Sequence, residues 1–569
     1  MSAFFTAITR LFRDKSGNVA MIFALVCVPV VSAAGCAVDY SMATRMRAKM
    51  QSAADAASVA AVSLKSPGYT QAAAMTGNGA VSAAITDADL VFDGNMSPIP
   101  TTGYSNLTRT SLVTKTGVQL TSTVQFSAQV PVTFMKVLGY QNLSISGTSS
   151  SSASLPPYLD FYLALDVSGS MGLPSTAAEA GRLQPLNPDN FVQYPSGCTL
   201  ACHFQPLKSA CVDPPVTAPA APPRNPPTTT TSYTQQYNTN NACMGYAYSR
   251  VSPTALANLI NSASTAQYPK QVPGLPVQML SGLPNSLNTD PNFGLPAVSS
   301  CPTAGSANCI QLRLDAVGFA LNATQSANGV SGLLELAQNK ETATGVPNEF
   351  RIGLYPFITD IDASYAPLTS SINGSSSTPG TINYAAKNLA SELDTNMNSN
   401  LGSGGTHIDN SLNSINNVIA SVGDGSSSTN TQPYVFLVTD GAQDNQYKDV
   451  PNGSWHGSNW ATVLNDTANN TYPNICQKLK NRGIIVSVLY IPYQTISPVN
   501  TSFANDEDDH ANWNIPNITN SSGTSGLQTC ASPPDAGGTY FYTANTPADI
   551  QASLNAMFNH SLQTAHITN

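Results

Sequence analysis

Twenty consecutive residues without a charge, Val19 to Val38 (VAMIFALVCVPVVSAAGCAV), constrain this chain more than any other feature. At ~1.5 Å per residue, a helix of that length matches the ~30 Å hydrocarbon core of a bilayer. Pro29 removes one backbone hydrogen bond, which a membrane-spanning helix tolerates. A cleaved signal peptide ordinarily has a shorter apolar stretch, of ~7–15 residues. A lipoprotein signal would end at Ala33-Ala34-Gly35-Cys36, which lacks the large aliphatic residue usual at its first position. The expectation is a retained single-pass helix over residues 19–38, with residues 1–18 as a short tail. Basic residues flank both ends (Arg10, Arg13 and Lys15; Arg45, Arg47 and Lys49), so charge alone does not orient it. Cysteine usage does. Cys198, Cys202, Cys211, Cys243, Cys301, Cys309, Cys476 and Cys530 lie beyond the anchor, an even number suited to an oxidising compartment. The tail is therefore placed in the cytoplasm and the bulk outside.

With 569 residues there is room for about three or four domains. Only 10% of the residues are charged and the net charge is −9, which argues against a basic nucleic-acid surface. Solubility rests instead on Ser, Thr, Asn and Gln.

Beyond the apolar run the helix is expected to continue. Ala43, Met46, Met50, Ala53, Ala57, Ala60 and Leu64 alternate gaps of three and four, a seam for packing on a partner helix or on the chain's own next domain. Residues 66–105 give no firm assignment. From Ser111 to Ser146 the pattern turns to β-branched alternation, as in Thr121-Ser122-Thr123-Val124-Gln125-Phe126, which predicts a small antiparallel sheet. Residues 39–146 thus form a helix plus a small β-rich unit, and the Ser-rich stretch within 147–157 is expected to be a linker. Gly17-Asn18-Val19-Ala20, the apolar run, Ala37-Val38-Asp39-Tyr40 and Gln51-Ser52-Ala53-Ala54-Asp55-Ala56-Ala57 resemble the start of TadG-like proteins of the Tad (Flp) pilus assembly system. Prepilin-like relatives carry Glu five residues after the cleaved Gly; Ile22 stands there in this chain, so prepilin processing is not expected.

Residues 158–569 show a different grammar. Phe161–Leu165, Arg351–Phe357, Tyr434–Val438 and Ile484–Ile491 are continuous apolar runs, as in parallel strands buried on both faces. Helical patterns intervene: Leu314, Val317 and Leu321 share a face, as do Ile408, Leu412, Ile415 and Ile419. This alternation predicts an α/β fold with a doubly wound, mostly parallel sheet. In such sheets ligands collect at the carboxyl ends of the strands, where Asp166 and Asp440 both fall. Two carboxylates plus the hydroxyls of Asp166-Val167-Ser168-Gly169-Ser170 suit a hard dication with oxygen ligands.

Together with Gly404-Gly405-Thr406 and Thr439-Asp440-Gly441, this constellation resembles the von Willebrand factor A (VWA) domain and its metal-ion-dependent adhesion site (MIDAS). The resemblance implies that Ser168, Ser170 and Thr406 ligate a divalent cation through hydroxyls, with Mg²⁺ expected first and Mn²⁺ or Ca²⁺ as alternatives. Asp166 and Asp440 would act through bound waters, and a partner's acidic group would complete the shell. On its own residues Thr406 also fits a helix cap, with Asp409 three positions on.

The family architecture is interrupted by an insertion at about 173–310, rich in Pro and holding Cys198, Cys202, Cys211, Cys243, Cys301 and Cys309, whose pairing the sequence leaves open. It leaves the metal edge directly and is expected to shape or shield it. Cys476 and Cys530 bracket the last apolar run, and TadG-like relatives carry a similar pair, so these two are expected to bond to each other. Cys198-Thr199-Leu200-Ala201-Cys202-His203 has one residue too many for haem attachment and is only half a zinc site, so with four more cysteines nearby in an oxidising compartment disulfides are expected. Asp506-Glu507-Asp508-Asp509-His510 lacks the alternate-residue spacing of a calcium loop and is expected to be a solvated acidic loop. No G-x-S-x-G, P-loop or H-E-x-x-H occurs.

The resemblances imply a non-enzymatic bacterial inner-membrane protein with its carboxyl-terminal domain in the periplasm. It would take part in Tad pilus assembly through metal-dependent contacts with pilins or other assembly proteins, with no nucleic acid and no small-molecule substrate. A surface adhesin binding a host or matrix ligand is the alternative. A metal-dependent hydrolase is a third reading, for which no nucleophile is evident.

Overall fold

A computed structural model describes residues 15–64, 66–183, 249–262, 289–290, 295–296, 298–372, 374–393, 401, 406–441, 447–448, 455–456, 475–492, 526–535 and 537–567. The chain divides into two compact units at Pro156 and Pro157.

The first unit is organised by one long helix, α1 (Lys15–Val62). Its amino-terminal part is bare, with Phe23, Leu25, Val28 and Val30 all exposed. Among the described residues it is the one helix long and apolar enough to cross a membrane. Its carboxyl-terminal part packs within the unit. The expected seam widens there into buried pairs, Ala53 with Ala54, Ala57 with Ser58 and Ala61 with Val62, while Leu64 lies exposed. A broad stripe of small residues is what a helix needs when a sheet lies on one side and another helix on the other. The neighbours belong to this chain, so no partner helix is required.

Residues 66–105, unassigned from sequence, supply that second helix. Ser66 caps α2 (Pro67–Ala74) by accepting from the Tyr69 N–H at 3.0 Å. A two-residue strand, β1 (Gly79–Ala80), leads into α3 (Ser82–Met96). Gly68 lies so close to α3 that a Cβ there would come 2.3 Å from Ala84. Three long strands follow, β2 (Ser105–Thr116), β3 (Gln119–Pro131) and β4 (Asn142–Ser154), forming an antiparallel sheet in the order β1-β2-β3-β4.

Strand β4 corrects the linker expected within 147–157. Gly147 to Ser154 pairs in register with Phe126 to Gln119. The serines are ladder residues rather than spacers: Ser58 on α1 hydrogen-bonds Ser149 and Ser151 at 3.0 and 2.9 Å. Small hydroxyls let the helix come close to the strand while satisfying each other.

The second unit is built on six strands: β5 (Leu159–Asp166), β6 (Phe350–Phe357), β7 (Ala366–Thr369), β8 (Gln432–Thr439), β9 (Ile485–Tyr490) and β10 (Phe541–Thr543). Their order is β10-β9-β8-β5-β6-β7, parallel except for the edge strand β7. The two edge strands were not anticipated from sequence; both are short and only partly buried, so they lack the continuous apolar run of a central strand.

Alternate residues of β5 feed two cores. Leu159, Phe161, Leu163 and Leu165 face the cluster holding Leu314, Val317 and Leu321 of α4 (Arg313–Asn322) and Ile550, Leu554, Met557 and Phe558 of a closing helix (Pro547–Ile567). Tyr162 and Ala164 face Ile408, Leu412, Ile415 and Ile419, on and just beyond a helix spanning Ile408–Val418. The Phe161 ring anchors the first core, with ring centroids of Tyr434, Phe436 and Phe558 between 5.2 and 5.6 Å away.

Candidate functional site

Strand order fixes where the two aspartates meet. The chain passes from β5 to β6 on one side of β5, and β8 returns on the other. The winding therefore reverses between β5 and β8, the kind of place where α/β sheets bind their ligands. Val438 is opposite Leu165, so Asp166, the last residue of β5, and Asp440, the residue just after β8, lie at adjacent strand ends.

Both aspartates are fully buried. Asp166 Oδ1 accepts from the Ser168 N–H at 2.9 Å, and Oδ2 from the Thr439 hydroxyl at 2.6 Å. Thr439 in turn accepts from the Gly441 N–H at 3.0 Å. Gly441 has φ of 98°, a left-handed conformation that suits glycine and turns the chain back after Asp440. The Ser168 and Ser170 hydroxyls lie 3.1 Å apart, and both residues are buried.

Burial pushes the Asp166 carboxyl well above the ordinary carboxylate range, and the Asp440 charge pushes it the same way; hydrogen bonds from Ser168 and Thr439 only partly offset this. Two buried acids side by side are unfavourable as a doubly ionised pair unless a cation joins them. The donor set, two carboxylates and neighbouring hydroxyls, fits a hard dication.

Thr406 is buried at the same edge. The next residue, His407, donates its N–H to Ile358 O at 2.9 Å, directly after β6, whose last residue Phe357 is opposite Asp166. Asp409 lies in the first turn of the following helix, whose cap position is His407 rather than Thr406. Gly404 and Gly405 lie outside the described residues.

Two further residues join this edge. Thr439 was visible only as part of the T-D-G run, and its hydroxyl is what holds Asp166. Arg313, at the first position of α4, is buried and reaches within 3.8 Å of Asp440 Oδ2, while its other terminal nitrogen donates to Pro492 O at 3.1 Å. A cation opening a helix opposes the helix dipole, and that misplacement is the sequence signal that it serves something outside the helix.

The insertion enters and leaves beside this edge. Ser175 donates its N–H to Gln311 O at 2.9 Å and Arg313 donates its own to Leu173 O at 2.8 Å, so the two ends are joined side by side. The described part is held by buried carboxylates. Glu179 accepts from the N–H groups of Gln311 and Gly305 at 2.7 and 2.8 Å. Asp315 takes a two-pronged contact from Arg250 at 3.0 and 2.7 Å. Cys301 and Cys309 form a disulfide there, and Cys476 and Cys530 form another on the opposite core. Cys198, Cys202, Cys211, Cys243 and the 506–510 acidic run lie outside the described residues.

Residues 17–74 match the model of the Tad family, described as "Putative Flp pilus-assembly TadE/G-like". No curated protein matches the chain. Among solved structures, the SpaC pilus adhesin of Lactobacillus rhamnosus GG aligns over 80% of this chain and 35% of its own length, at 11% identity and a TM-score of 0.27. The PilB minor pilin of Streptococcus sanguinis, in a variant form, aligns over 82% and 80%, at 9% identity and a TM-score of 0.26. This chain thus spans about a third of the adhesin's length. Likeness that weak says nothing about what this chain binds.

Proposed function

We propose that this chain is a non-enzymatic, membrane-anchored component of Tad-type pilus assembly that grips an acidic group of a pilin or assembly protein through a divalent cation. The amino-terminal family match supports the pathway. What carries the metal reading is the meeting of two fully buried aspartates on adjacent strand ends, beside two hydroxyls. On this reading the second unit is a doubly wound VWA domain and its sheet edge an adhesion site. Asp166, Ser168, Ser170, Thr406 and Asp440 would hold the ion, with Mg²⁺ the expected occupant. The bound cation supplies a Lewis-acidic coordination position for a partner carboxylate.

The protein's own residues prepare that position. Thr439 and the Ser168 N–H fix the Asp166 carboxylate. Arg313 offsets part of the Asp440 charge. The joined ends of the insertion stand beside the edge and limit which surfaces can approach it.

The test is Asp166→Ala and Thr406→Ala in the full chain. Both are expected to lose Mg²⁺-dependent thermal stabilisation and partner capture, with an unchanged circular dichroism spectrum. Capture of the same partners by both variants in EDTA as by the wild type in Mg²⁺ would refute the adhesion site.

A further inference from the structure

The first unit carries an apolar tip that the pilus and metal readings leave unexplained. Between β3 and β4 the chain forms a single 3₁₀ turn, Met135–Leu138, closed by Gly139 at φ of 90°. Phe134, Val137, Leu138 and Tyr140 on this tip are 47%, 82%, 54% and 56% exposed. Four large apolar side chains on seven residues in water would be costly.

The tip is fastened to the helix at one level. Phe134 lies flush on Gly35, where an added Cβ would come 2.5 Å from the Phe134 Cβ. Just beyond, the Asp39 carboxylate accepts three N–H groups of the tip, from Thr133 at 2.9 Å, Phe134 at 2.8 Å and Met135 at 2.7 Å. Gly35 belongs to the last turn of the uncharged run and Asp39 is the first charge after it. The bare helix surface and the bare tip are therefore continuous. Cations follow: Lys136 on the tip, then Arg45, Arg47 and Lys49 on the helix, all exposed. Arg45 stands about 10 Å past Val38 along the axis at ~1.5 Å per residue, within reach of headgroup phosphates.

We propose that the β3–β4 tip, residues 134–140, is a second membrane contact that inserts its apolar side chains into the lipid interface beside α1. Phe134 and Tyr140 take the place that aromatic residues favour at that depth, and the cations meet anionic headgroups. Asp39 then has a defined task. It ties the tip to the helix at the border, and its charge is met by backbone donors rather than exposed to lipid. The proposal rests on the reading of α1 as membrane-spanning.

The experiment uses the full chain in vesicles containing anionic lipid, with Val137→Trp, Phe23→Trp and Thr116→Trp made separately at exposed positions. The three native tryptophans, Trp455, Trp460 and Trp513, are subtracted with the wild-type signal. Thr116 ends β2 beside the turn at the far end of β3 and serves as the aqueous control. Brominated lipid is expected to quench the signals from positions 23 and 137 but not from 116, while aqueous acrylamide quenches only 116. Quenching at 23 with position 137 open to acrylamide would overturn the tip contact and leave the anchor standing. Position 137 shielded from both quenchers would mean that protein covers the tip, which also overturns the proposal. Absence of lipid quenching at 23 and 137 alike would remove the anchor and the tip contact together.

Discussion

Thr439 and Arg313 divide the work of keeping two buried aspartates side by side, one by hydrogen bond and one by charge. Arg313 and a dication at Asp440 would repel each other, so Arg313→Gln is expected to tighten Mg²⁺ binding measured by calorimetry, by about tenfold for ~1.4 kcal/mol of relieved repulsion. Weaker binding would mean that Arg313 holds the edge in shape and does not compete with the ion. At the opposite end of the sheet, burial pushes Glu349 up to about 8, the Thr344 hydroxyl partly restrains it, and Glu341 adds to the rise. Folded Glu349 keeps its proton where the unfolded carboxyl, near 4.5, has lost it, so stability falls as pH rises from about 4.5 toward 8. Glu349→Gln should leave the Tm unchanged near pH 4 and raise it by several degrees at pH 8. A gain of equal size at both values would trace to something other than this carboxyl. For Asp39 the partners are three N–H groups. Asp39→Ala strands them, at a cost of about 1–3 kcal/mol, and should open the tip to trypsin at Lys136 in detergent-solubilised protein. Unchanged cleavage would show that the Phe134–Gly35 contact holds the tip alone.

Among the elements, the helix Ile475–Asn481 and the short helix Gly526–Cys530 are stapled across 54 residues by the Cys476–Cys530 disulfide. In the chain-entropy model, closing that loop stabilises by very roughly 4 kcal/mol. Replacing both cysteines by serine should lower the Tm by an amount matching that figure, and non-reducing peptide mapping of the wild type should return the crosslink. A free thiol at either position would contradict the staple. Strand β5 is the other critical element, because its odd-numbered residues supply one core and its even-numbered ones the other. Phe161→Ala removes a ring packed among Tyr434, Phe436 and Phe558 and should cost about 3–5 kcal/mol. Continuous apolar runs announced the central strands because a strand buried on both faces needs no polar alternation. The serines of β4 gave no such warning. A run of serine is compatible with solvent or with a ladder, and only the presence of β3 and of Ser58 decides between them.

Taken whole, the chain joins a helix long and apolar enough to cross a membrane to a unit with two buried aspartates at the carboxyl ends of its central strands. On the proposed topology, trypsin applied to spheroplasts should digest the second unit and leave an amino-terminal membrane fragment; a fully protected protein would place the bulk in the cytoplasm. The sequence determined what local rules can carry. An uncharged run of bilayer length, apolar strands ending in Asp166 and Asp440, and helical faces such as Ile408, Leu412 and Ile415 follow from periodicity and burial within one element. Tertiary structure decided the polar partnerships. Asp39 meets N–H groups 94 to 96 residues away, and Thr439 reaches Asp166 across 273. The physical reason is that a hydrophobic face is satisfied by any apolar neighbour, so its pattern is written into each segment. A buried polar group needs one particular donor or acceptor at hydrogen-bond distance, and which one arrives depends on how the strands are ordered.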